Sequence, residues 1–75
     1  MELNEFVAQF AEQFDDTDVS EITASCEFHD LEEWSSLTGM SVIAFVKTTY
    51  GKTITGPELR ACDTVEDVFN LVKNK

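Results

Sequence analysis

Basic residues are scarce in this chain, and over its first 33 positions they are missing altogether. Five Lys and Arg stand against fifteen Asp and Glu, for a formal net charge of −10. Nucleic-acid binding depends on Lys and Arg neutralising phosphates, so that class of partner is excluded. Residues 1–33 hold eleven of the acids and no base, while residues 34–75 hold four acids and all five bases. The acidic half would steer partners with basic patches, although most single acids there read as a solvated face.

Long apolar runs are missing too. The longest, Val42 to Val46, falls far short of the roughly 20 residues needed to span a bilayer, so no membrane insertion is expected. No basic segment leads into an apolar one, which predicts no signal peptide and a cytoplasmic location. Cysteine is limited to Cys26 and Cys62, with no second Cys or His at metal-ligand spacing. Cys62 reads as a small hydrophobe, and a disulfide is not expected without a secretory signal. A chain of 75 residues makes one domain, 1–75, that buries about 60% of its unfolded surface and has no room for an ordinary catalytic cleft. The apolar fraction of 43% suffices for a core and argues against disorder.

What the chain does have is helical periodicity. Leu3, Phe6, Val7, Phe10, Ala11 and Phe14 recur at three- and four-residue spacing, which predicts a first helix whose phenylalanines supply much of the core. Asp15 to Ser35 is a long connection, pinned in this reading by Val19, Ile22 and Phe28, with a short helical turn around Asp18 to Thr23. Asp16, Asp18, Ser20 and Glu27 fall in the frame of an EF-hand loop, but Glu21 stands where glycine is required and Thr23 where an apolar residue is, so no metal site is expected. His29 reads as a loop histidine without a catalytic partner.

Apolar residues return at Leu37, Met40, Ile43, Ala44, Val46 and Tyr50, widened by Val42 and Phe45. They predict a second helix buried on more than one side, ended by Gly51. Ser35 is the expected N-cap and Ser36 the first helical residue, its hydroxyl facing water. Unpaired N–H groups and the helix dipole make that position hospitable to a phosphate ester, and Ser36 is read as a covalent attachment point. Trp34 is expected to be partly buried. Gly39 costs about 1 kcal/mol relative to alanine in a helix, explained by close approach of another group or by simple tolerance. Lys52 to Ile54 is an extended link, Thr55-Gly56-Pro57-Glu58 a capping box opening a short helix to about Cys62, and a last helix starts at Asp63 or Thr64 with Val65, Val68, Phe69 and Val72 inward.

Ser35-Ser36-Leu37, with this helix order and long first loop, resembles the acyl carrier proteins, whose attachment site is usually Asp-Ser-Leu at the start of the second of four helices. The resemblance covers nearly the whole chain. Ser35 replaces the usual aspartate, which keeps the cap and removes a charge beside the attachment site. The resemblance implies an all-α fold, a small four-helix bundle with a short third helix, in a monomer that is not itself an enzyme. It implies that a phosphopantetheinyl transferase joins 4'-phosphopantetheine from coenzyme A to Ser36, with Ser35 and Leu37 as motif flanks. The carried acyl thioester would serve fatty acid, polyketide or related biosynthesis, passing between acyl-loading and acyl-transferring enzymes. An acyl groove between the second and third helices is expected to involve Met40, Ile43, Ala44, Ile54, Leu59 and Cys62. In this family acids along the second helix usually meet partners, yet no acid lies between Trp34 and Pro57. Partner binding is therefore assigned to Glu32, Glu33, Trp34, Leu37, Met40, Ala44 and Glu58. The competing reading is an unmodified, small acidic helical interaction module.

Overall fold

Two phenylalanines set the position of the first helix. The computed structural model describes residues 2–75, and in it α1 (Leu3–Ala11) buries Phe6, Phe10 and Ala11. The chain then tightens: the N–H of Gln13 bonds to Phe10 and that of Phe14 to Ala11, which turns the Phe14 ring into the core beyond the helix end. α2 (Ser36–Tyr50) follows the long loop, α3 (Gly56–Ala61) is a short helix, and α4 (Val65–Lys73) closes the chain. No strand occurs among the described residues. The fold is all-helical, with a radius of gyration of 10.9 Å, close to the ~11 Å expected of a compact chain this long.

Phe6 is the hub. Its ring centroid lies 5.6 Å from that of Phe45 on α2, 5.7 Å from Phe69 on α4 and 6.2 Å from Phe10. Around it Val42, Val46, Val65, Val68 and Val72 are fully buried, and burial of such side chains supplies about 1.5–3 kcal/mol each. Tyr50 joins from the end of α2, its ring 5.8 Å from Phe6 and its hydroxyl donating to Gln9. Gly51 ends α2 at φ 68°, its N–H returned to Lys47, a conformation in which glycine avoids the Cβ clash.

The loop is pinned by two of the three residues expected from sequence. Ile22 and Phe28 are buried, but Val19 is 68% exposed. A 3₁₀ turn at Val19–Glu21, capped by the Asp18 carboxylate on the Ser20 N–H, turns Val19 outward and Ile22 inward. A second 3₁₀ turn spans Phe28–Asp30. The loop carbonyls of Cys26 and Ala24 accept the N–H groups of Val65 and Glu66, satisfying first-turn donors of α4 that have no partner within their helix. His29 is more than a loop residue, since its Nε2 lies 2.9 Å from the Cys62 carbonyl and ties the second turn to the end of α3.

The caps of the last two helices are of one kind. Thr55 accepts from the Glu58 N–H while the Glu58 carboxylate accepts from the Thr55 N–H. Thr64 and Asp67 repeat the arrangement and start α4 one residue after the later of the two positions expected, with Val65, Val68, Phe69 and Val72 inward as the spacing required.

α2 departs most from its sequence reading. Thr38, Gly39, Val42, Phe45 and Val46 face the core, while Leu37 is 74% exposed, Met40 66% exposed, and Ala44 exposed as well. The helix is therefore buried on one side only. Residues 38, 42, 45 and 46 line up along one face at 3.6 residues per turn, and 37, 40 and 44 along another. Both rows are largely apolar, so hydropathy alone could not tell which one is buried. Among the described residues no helix is long and apolar enough to cross a membrane.

Candidate functional site at the head of α2

The approach to Ser36 is held by three neighbours. Ser35 is extended at φ −154° and ψ 175°, and its Oγ accepts from the Thr38 N–H at 3.4 Å, a long cap bond. The Thr38 hydroxyl, in turn, donates to the Glu33 carbonyl at 3.0 Å, and the Gly39 N–H bonds to the Ser35 carbonyl. Trp34 stands edge-on to Phe28 at 4.7 Å, with Phe14 and His29 also in ring contact, and is partly buried as expected. Ser36 itself is exposed at the first position of a 15-residue helix with no acid in its first turn. An anion on its hydroxyl would meet the positive end of the helix dipole without carboxylate repulsion from that turn.

Beside Ser36 a groove of about 420 Å³ runs between α2 and α3, lined by Trp34, Ser35, Ser36, Gly39, Met40, Ile43, Gly56, Leu59 and Arg60. Of the six residues assigned to a groove from sequence, Met40, Ile43 and Leu59 line it. Ile54 and Cys62 are buried in the core instead, and Ala44 lies on the exposed row of α2 outside the lining. Burial, followed by the charges of Asp67, Asp63 and Glu58, pushes the Cys62 thiol up, away from the reactive thiolate. Trp34, Gly39, Gly56 and Arg60 complete the groove walls, a set that only tertiary packing brings together.

The neighbours of Gly39 do not require glycine there. A Cβ there would sit 3.6 Å from Trp34 and 3.7 Å from Leu59, which is ordinary van der Waals contact. Gly39→Ala should therefore stabilise the fold by about 0.5–1 kcal/mol through the helix propensity it restores. A shift of the urea midpoint to higher concentration is the expected result, and a shift to lower concentration would mean that the Trp34 seat cannot take one methyl group.

The acids assigned from sequence to partner binding divide in two. Glu32 is exposed and lines a second hollow of about 430 Å³ with Asp16, Thr17, Glu21, Leu31 and Glu33. Among the described residues no group of three or more His, Cys, Asp or Glu is arranged to hold a metal ion. Glu58 is committed to its cap and to Lys75 at 2.6 Å, and Leu37 and Met40 stand open to solvent on α2. Glu33 is a clamp rather than a free charge: its carboxylate accepts from the Asp15 N–H, the Asp16 N–H and the Thr17 hydroxyl at 2.6–2.9 Å. This fastens the end of the loop to the exit of α1.

The Thr17 hydroxyl foremost, with the backbone N–H groups of Asp15, Asp16 and Thr17, holds the Glu33 carboxyl below its ordinary value. A carboxylate whose folded pKa is depressed contributes stability above its unfolded pKa and loses it as pH falls through the folded one. The loss should begin near pH 4.5, the ordinary glutamate value, and run downward. Asp18, Glu58 and Asp67 are shifted the same way, so the clamp is isolated by difference. Glu33→Gln should melt lower than wild type at pH 7, with the gap closing towards pH 3; a gap independent of pH would show that the charge of Glu33 does not stabilise the loop. Comparison with family models, curated proteins and solved structures gave no match to this chain.

Proposed function

We propose that this protein is an acyl carrier, a small four-helix bundle of the acyl-carrier type that bears 4'-phosphopantetheine on Ser36. The observation that carries the reading is an exposed serine hydroxyl at the first position of α2, opening directly onto a groove with an apolar floor. The residues fit such a group. Ser36 supplies the attachment oxygen, Ser35 holds the helix start without competing for it, and the acid-free first turn accommodates a phosphodiester. When bound, the group supplies a terminal thiol able to hold an acyl chain as a thioester. Trp34, Gly39, Met40, Ile43 and Leu59 offer that chain cover from water.

Partners on this reading are a phosphopantetheinyl transferase and the enzymes that load and unload the thiol. Leu37 and Met40 give them an apolar contact next to Ser36, and Glu32 gives a free charge in the loop before it. The test is incubation of the purified protein with a broad-specificity transferase, coenzyme A and magnesium, followed by intact mass. One added phosphopantetheine per chain is expected. A chain that stays bare would overturn the reading and favour an unmodified interaction module using the same exposed row of α2.

A further inference from the structure

Arg60 is the only arginine in the chain, and it stands on the wall of the α2–α3 groove. It is exposed, and it takes part in no ion pair, the only one among the described residues being Lys75 with Glu58. That pair also occupies Glu58, the one acid on α3. No acid lies anywhere between Trp34 and Pro57. The groove lining thus carries one positive charge and no negative one in a molecule of net charge −10. Gly56 leaves the guanidinium room to lie back along α3, its Nη1 being 3.4 Å from the place a Cβ would occupy. Away from the two serines at the helix head, Trp34, Met40, Ile43 and Leu59 give the groove apolar walls, and the volume of about 420 Å³ lies within the range of small-ligand pockets.

We infer that the groove selects acyl chains that end in a carboxylate, with Arg60 pairing to that carboxylate while the apolar walls cover the methylenes. The inference rests on the carrier reading and narrows it to a substrate class. A wholly hydrocarbon chain gains nothing from a cation in its groove. A guanidinium fork, by contrast, matches a carboxylate through two parallel N–H···O bonds. Arg60 is on this view a specificity residue, separate from the attachment chemistry at Ser36.

The experiment uses wild type, Arg60→Gln and Arg60→Lys, each loaded by a transferase from adipoyl-CoA or hexanoyl-CoA, two chains of equal carbon number. In loading, a bond forms from the Ser36 oxygen to phosphorus, the pyrophosphate bond of the coenzyme breaks, adenosine 3',5'-bisphosphate leaves and the hydroxyl proton goes to solvent. Each product is then treated with hydroxylamine, which breaks the thioester C–S bond, forms a hydroxamate C–N bond and frees the thiol. Intact mass follows the rate. With adipoyl, wild type should react about threefold to fivefold more slowly than Arg60→Gln, the scale of a partly solvated ion pair, and high salt should erase the difference. Arg60→Lys should recover part of the protection, and hexanoyl should show no difference among the three. Backbone amide shifts of Leu59 and residue 60 should separate adipoyl from hexanoyl in wild type alone. Equal adipoyl rates would overturn the inference, as would the same slowing in both arms, which would place Arg60 on the tether phosphate. Absence of any mass gain in wild type would instead sink the carrier reading, and this inference with it.

Discussion

Phe6→Ala is expected to leave the protein largely unfolded at room temperature, or to shift its urea midpoint down by a large fraction of its value. Phe6 is fully buried and meets the rings of Phe10, Phe45, Tyr50 and Phe69, so a single side chain joins α1, α2 and α4. Truncating a buried phenylalanine costs about 3–5 kcal/mol, because apolar burial is lost and a cavity remains. The lost ring pairs belong to that same penalty. Against this, a domain of 75 residues commands only roughly 4–11 kcal/mol in total. Leu37→Ala is the matched control. Its side chain is 74% exposed, and its removal should change stability by less than about 0.5 kcal/mol. Equal losses in the two variants would mean that the core is not centred on Phe6.

That hub was legible in the sequence, and the reason is geometric. Phe6, Phe10 and Phe14 stand among polar residues at a spacing that only one helix face satisfies, and Val65, Val68, Phe69 and Val72 do the same for α4. α3 was legible for a different reason, a local capping box whose two partners lie three residues apart. The buried side of α2 was not. Leu37, Met40 and Ala44 are as apolar as Val42, Phe45 and Val46, and only contact with α1, α3 and α4 decides between the rows. Val19 failed as a pin because a side-chain turn at Asp18 redirected the chain, an event smaller than any pattern window. Glu33, assigned from sequence to partner binding, is instead engaged by residues 15–17, and hydrogen bonds across so many positions leave no trace in spacing.

The candidate site divides along the same line. Ser35, Ser36 and Leu37 are neighbours in the chain, so the helix head could be placed from local rules. The groove beside it could be placed only in part, since α3 contributes through its packing against α2. Ile54 and Cys62 were drawn into the core by the same apolar character that suggested a groove, and Arg60 reaches the wall only through the packing of α3 on α2, which spacing does not show.

The serine pair should give opposite phenotypes. Ser36→Ala should take up no phosphopantetheine at all while folding as wild type does, because its hydroxyl makes no hydrogen bond that the fold uses and the residue is exposed. Ser35→Ala should load to completion yet lose about 0.5–1 kcal/mol, the low end of an N-cap penalty, since the bond from Thr38 to Ser35 is long at 3.4 Å. Intact mass after transferase treatment reads the first property, and a urea midpoint the second. If Ser35→Ala stayed bare and Ser36→Ala loaded, the attachment point would be displaced by one residue. If neither variant altered loading, the modified residue would lie elsewhere, because an oxygen committed to capping and an oxygen free in solvent cannot be chemically equivalent at this helix start.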